Sequence, residues 1–136
     1  MTDQQVVFDQ QRQLDLIREG LQQGEEVIAV YDAIGAGTGF IGLTTKRAVL
    51  QDNSFMGKKV ALTSIPFSQI TSVSFVSNKS MFGRLASNSA IALHTASKTY
   101  EVEFRGENKG KHVHDIILWK DSAVIGESTR PRALAR

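Results

Sequence analysis

Residues 31–52 read "YDAIGAGTGFIGLTTKRAVLQD", and within them residues 37–42 spell "GTGFIG", a G-x-G-x-x-G pattern. A nucleotide-binding version of this pattern needs a helix directly after its last glycine, so that the helix N-terminus faces a pyrophosphate. Here Gly42 is followed by "LTTKRAVLQD", which is rich in β-branched and apolar residues and carries no helix-length apolar stripe. An acid about 20 residues further on would hold a ribose, but that window reads "GKKVALT" and has no carboxylate. No Gly-Lys-Ser/Thr follows, and no HRD or DFG sequence supports a kinase-type glycine loop. The stretch therefore reads as strand, loop, strand. Gly35, Gly37 and Gly39 are expected to let the loop take positive φ, and Gly42 to permit a bulge or a close backbone approach within a strand.

On both sides of this hairpin the β pattern continues, from residue 25 to residue 105. "EEVIAVYDAI" precedes it; "DNSFMG" is a turn cluster before "KKVALTS", and Pro66 punctuates. "SQITSVSFVS" places Thr71, Val73 and Phe75 on one face and Ser72 and Ser74 on the other. A long polar loop, "SNKSMFGRLASNS", is expected before the pair "SAIALHT" and "KTYEVEFR". In the last of these Tyr100, Val102 and Phe104 alternate with Thr99, Glu101 and Glu103, giving one buried and one wet face. About seven closely spaced strands with no helices between them predict an antiparallel sandwich or barrel.

Helical spacing flanks the strands. In residues 1–23, Val7, Leu14, Ile17 and Leu21 fall near one face of a helix, with Gly24 as its stop. Packing of that helix on its own domain is the simpler reading, ahead of a partner-seeking arm. In "GENKGKHVHDIILWKDSAVIG", Val113, Ile116, Ile117 and Val124 form a stripe with Trp119 nearby, while Lys111, Asp115 and Asp121 look outward. Residues 126–136 read as a flexible basic tail. The expected organisation is an N-terminal amphipathic helix (1–23), one mainly β domain with a closing helix (24–125), and that tail.

At 136 residues the chain suits one domain with one core. With no cysteine it has no disulfide framework, thiolate metal site or thiol nucleophile, which fits a reducing compartment and a cytoplasmic location. The start "MTDQQVVFDQQRQ" lacks the basic residues and apolar run of a secretory signal. A net charge of +2 provides no basic field for nucleic acid, so no nucleic-acid partner is expected.

No catalytic residue, cofactor site or metal site is expected. His112 and His114 are two apart and point to nearly opposite sides of a helix, and His94 lies on a strand. There is no G-x-S-x-G and no S-x-x-K. The carboxylates Glu25 with Glu26, and Glu101 with Glu103, read as strand-edge solubility. The remaining candidates form an interaction patch. Lys46 and Arg47 sit at a tight turn, Lys58 and Lys59 open the next strand, and Met81 and Phe82 lie in the polar loop. Solvated turn charges are the simpler reading of the four cations, and an anion or membrane-lipid site the alternative. The Met81–Phe82 pair is either tucked under the barrel rim or offered to a partner.

The run "TTKRAVLQDNSFMGKKVALTSIPFSQI", residues 44–70, resembles the bacterial pleckstrin-homology-like (PH-like) family. The shared features are T-x-x-R (Thr44, Arg47), a G-K-K turn (Gly57, Lys58, Lys59), and the strand entry Ile65–Pro66–Phe67–Ser68–Gln69–Ile70. The lead-in "LQQGEEVIAV" and the helix residue Trp119 also match, and the resemblance covers residues 21–119. It implies a PH-like seven-stranded antiparallel barrel or sandwich capped by a C-terminal α-helix, here preceded by an N-terminal helix. It further implies a non-catalytic scaffold that forms cyclic homo-oligomers and binds an unidentified protein partner. Phosphoinositide-binding relatives carry several cations in and beside the loop between their first two strands. Here that loop is "GAGTG", residues 35–39, without a cation, so no lipid headgroup is expected at that rim. The alternative function is peripheral binding to anionic membranes through Lys46, Arg47, Lys58, Lys59 and the Met81–Phe82 loop.

Overall fold

The computed structural model describes residues 5–35, 37–53, 61–80 and 83–122. Two antiparallel hairpin systems account for most of it. The first sheet runs in the order β1 (Val7–Phe8), β2 (Val27–Asp32), β3 (Thr38–Thr44), β4 (Arg47–Asp52), β5 (Ala61–Pro66). The second contains β6 (Ser72–Ser80), β7 (Gly83–His94) and β8 (Thr99–Arg105). Helix α1 (Gln11–Glu19) lies between β1 and β2 in the chain, and α2 (Asn108–Ser122) follows β8.

Residues 31–52 form the β2–β3–β4 meander that the sequence predicts, with Tyr31 opposite Ile41 and Ile41 opposite Leu50. Of the loop glycines, Gly35 alone takes a positive φ, of 96°. Gly42 answers a different need. A Cβ built there would lie 2.7 Å from Cδ1 of Ile17, so α1 seats directly on the strand because this residue has no side chain.

That contact explains why β2 reads as an unbroken apolar run. Ile28, Ala29 and Tyr31 face the main core, while Val27 and Val30 join Leu14, Ile17, Phe40 and Val49 under α1. Both faces of the first sheet are covered, so alternation disappears. The two core side chains of α1, Leu14 and Ile17, contribute about 1.5–3 kcal/mol each by burial. The N-terminal helix thus packs on its own domain.

Three expectations need correction. Val7 belongs to β1, which pairs parallel with β2 (Val7 with Ala29, Phe8 with Val30), and is not on the helix stripe. The helix ends at Gly20 and not at Gly24; Gly20 N–H donates to Ile17 O and the connection to β2 follows. Of the polar stretch 77–89, expected as a loop, residues 77–80 and 83–89 are strand. Their backbone extends β6 and β7 in register as far as Asn78 with Asn88, because pairing with a neighbouring strand overrides weak β propensity.

The two sheets close at one corner, where Ile34 N–H donates to Glu103 O at 2.8 Å and Thr38 Oγ1 to Glu101 O at 3.3 Å. At the opposite corner a 3-10 turn, Phe67–Gln69, carries the chain from β5 to β6. Between the sheets lie Ile41, Leu43 and Leu50 from the first and Ile91, Leu93, Val102 and Phe104 from the second, capped by Val113, Ile116 and Ile117 of α2. Val124 and the tail lie outside the described residues. Among the described residues no helix is long and apolar enough to cross a membrane.

Candidate functional site

Of the six patch residues, Lys58, Lys59, Met81 and Phe82 lie outside the described residues, Lys46 lies in the β3–β4 turn and Arg47 opens β4. Thr44 builds that turn: its Oγ1 accepts hydrogen bonds from Lys46 N and Arg47 N, each 3.0 Å long. Arg47 then turns back on the domain. Its Nε donates to Glu25 Oε2 at 2.9 Å, and Nη2 to Glu25 Oε1 at 3.0 Å and Gly20 O at 2.7 Å. Nη1 donates to Ser64 Oγ at 2.9 Å. All three guanidinium nitrogens are therefore engaged, and Arg47 binds its own chain where the sequence offers it to an anion.

Glu25 is the other half of that arrangement. Its carboxylate also accepts Gln22 N–H at 2.8 Å and the Thr44 hydroxyl, and the side chain has no exposed surface. Burial alone would raise its pKa. The hydrogen bonds from Arg47, Thr44 and Gln22, with the Arg47 charge, outweigh burial and hold it at about 2. The solubility role expected of Glu25 is thus replaced by a structural one. Thr44, Arg47 and the Gly-Glu lead-in meet at one point, fastening the end of α1 and the start of β2 to the β3–β4 turn. Lys46 remains exposed, with Nζ 3.5 Å from Gln23 O.

At the rim near the glycine loop, Asn53 N–H donates to Gly37 O at 2.9 Å. Asp52, opposite Thr38, lies 3.8 Å from Lys98 Nζ, which also sits 4.8 Å above the Tyr100 ring.

The three histidines sit in different surroundings. His94 is on the outer face of the second sheet, with Nε2 3.1 Å from Ser74 Oγ and Nδ1 3.1 Å from Thr99 Oγ1. His114 Nδ1 lies 3.2 Å from Asp115, which also receives Lys111 Nζ at 2.9 Å. His112 is buried, its Nδ1 2.6 Å from the Tyr31 hydroxyl. Burial pulls its pKa below the usual value, partly opposed by the Asp115 charge. Lys109, one turn before it, binds Asp9 Oδ2 at 3.0 Å, and Asp9 also accepts Asp32 N–H at 2.9 Å. The two termini of the domain are joined across 100 residues by that ion pair.

At the open corner a groove of about 250 Å³ runs between the 3-10 turn, the start of β6 and α2. Phe67, Ile70, Val73, Ile117 and Leu118 line it, with Thr71 and Ser72. Leu118 is 47% exposed, and Phe75 and Val76, further along β6, are 37% and 48% exposed. On the outer face of the first sheet Leu62 is 47% exposed. Sequence reading passed over this corner, although one signal was present: residues 67–78, "FSQITSVSFVSN", contain no charged residue.

Two sheets, antiparallel apart from β1, closed at one corner and capped by a C-terminal helix, are the architecture of a PH-like domain. The bacterial PH domain family matches residues 5–120, and the chain belongs to that family. No curated protein matches it. Its fold is similar to that of a pleckstrin homology domain from Shewanella amazonensis SB2B, at a TM-score of 0.51 and 20% identity over 70% of this chain and 82% of that one. A DUF1696 family protein with a pleckstrin-homology domain from Shewanella loihica PV-4 gives 0.54 at 18% identity, over 78% and 90%. The hSac2 domain of the human phosphoinositide phosphatase Sac2 gives 0.55 at 10% identity, over 87% and 83%. These likenesses establish the fold.

Proposed function

We propose that this chain is a non-catalytic, cytoplasmic scaffold or adaptor module that self-assembles into a homo-oligomer and binds another protein. The observation that carries this reading is the placement of its exposed large apolar side chains. Leu62 lies on the first sheet, whereas Phe75, Val76 and Leu118 surround β6 and α2. A module that both assembles and holds a partner requires two such contacts. Two unlike contact faces on one chain also permit head-to-tail association, which closes into a ring when the rotation allows.

The alternative, peripheral binding to anionic membranes, loses support from the engagement of Arg47 with Glu25. Light scattering at micromolar concentration tests the main reading. A discrete oligomer is expected, with a smaller mass for Leu62→Lys; a strictly monomeric wild-type chain would refute self-assembly. Salt-sensitive cosedimentation with anionic vesicles would instead favour the membrane reading.

A further inference from the structure

We infer that the β6–α2 corner is a binding site for an uncharged, extended peptide segment of a partner protein, which adds to the second sheet as a strand beside β6. The inference rests on the protein-binding reading above and gives it a location and a partner chemistry.

Strand β6 pairs with β7 on one side and, among the described residues, with no strand on the other. A free edge presents backbone N–H and C=O groups that another chain can bind. Natural edges are usually defended by a charged side chain, a proline or a bulge. From Ser72 to Asn78 the register with β7 is unbroken, and residues 67–78 hold neither charge nor proline. Edge β5, by contrast, ends in Pro66, which has no N–H to offer.

The groove sets what the added strand must carry. At about 250 Å³ it falls below the roughly 300–1,000 Å³ of small-molecule sites. It suits side chains of an extended segment, which would lie about 4.8 Å from β6 and direct alternate residues toward one face. The lining residues Phe67, Ile70, Val73, Ile117 and Leu118 ask for a bulky apolar side chain there. The absence of charge in residues 67–78 is the complement of an uncharged segment, since a charged one would be desolvated without a counter-ion. Backbone hydrogen bonds would supply affinity and the groove would select the side chain.

A display library of random dodecapeptides, selected against the full chain, provides the probe. The expected products are uncharged peptides with apolar residues at alternate positions. Bound to the full chain, a selected peptide should slow amide hydrogen exchange in β6. Methylating its backbone nitrogens at alternate residues should weaken binding by about tenfold or more, because strand pairing is lost. Leu118→Glu, a surface change that puts a charge at the groove, should weaken it comparably.

Enrichment of charged peptides, protection of an edge other than β6, or indifference to both changes would overturn the inference. So would failure to select any peptide. Concentration-dependent protection of β6 without peptide, rising with a larger mass, would show a second copy as the occupant and also overturn it. Peptide binding by a monomer would leave this site standing and sink self-assembly alone; an oligomer without peptide binding would do the reverse.

Discussion

Arg47 and Glu25 form a two-point ion pair, with Nε 2.9 Å from Oε2 and Nη2 3.0 Å from Oε1, around a carboxylate that has no exposed surface. A cation that reads in sequence as one of two at an exposed turn is therefore a fastening for the β3–β4 hairpin. Removing it leaves a buried charge without its partner. Arg47→Ala should destabilise the domain by about 2–4 kcal/mol, seen as a lower urea midpoint. Arg47→Lys should recover only part of this, because an ammonium cannot make the planar two-point contact. A midpoint unchanged by Arg47→Ala would return the residue to the surface patch.

The same pair sets an acid limit. The folded pKa of Glu25 is about 2, below its ordinary value of 4.5, so the unfolded chain takes up a proton first as pH falls. The stability Glu25 contributes is complete above 4.5 and is lost as pH falls from there toward 2. Urea midpoints measured across that range should decline in the wild type. Glu25→Gln should start lower at neutral pH and decline less steeply; a parallel decline would place the acid sensitivity elsewhere.

His112 acts in a higher window. Burial lowers its pKa from 6.5, so the folded state favours the neutral ring that accepts or donates at the Tyr31 hydroxyl. Its contribution is present above 6.5 and is lost as pH falls below it. Tyr31→Phe leaves Nδ1 without that partner in a buried site and should cost about 1–3 kcal/mol. His112→Gln should flatten the dependence of stability on pH just below 6.5, which thermal melts in matched buffers would show.

What was legible in the sequence was the part governed by one neighbour. β8 alternates because one face meets the core and the other meets water, so Tyr100, Val102 and Phe104 announced themselves. β2 hid its orientation because α1 and the core cover opposite faces, and β1 was too short to show any period. The Glu25–Arg47 pair was hidden for a similar reason. Its members are 22 residues apart, and a carboxylate beside another carboxylate looks like a solvated edge until the turn that receives it is placed. The groove was missed because its signal is a lack of charge in residues 67–78, and its other wall, α2, lies far along the chain.

The "GTGFIG" motif supplies the last test, because its final glycine is fixed by Ile17 and not by a ligand. A methyl group at position 42 would sit 2.7 Å from Ile17 Cδ1 and 2.8 Å from Cγ1. Gly42→Ala should therefore overpack the α1 interface and cost about 1–3 kcal/mol. Ile17→Ala alone should also destabilise, by opening a cavity beside Leu14 and Phe40. Combined, the added methyl partly fills the space the isoleucine leaves. The double variant should then be more stable than the sum of the singles predicts, by about 1 kcal/mol in a double-mutant cycle of urea unfolding. Strict additivity would mean that α1 does not depend on the bare backbone of Gly42, and the glycine would need another explanation.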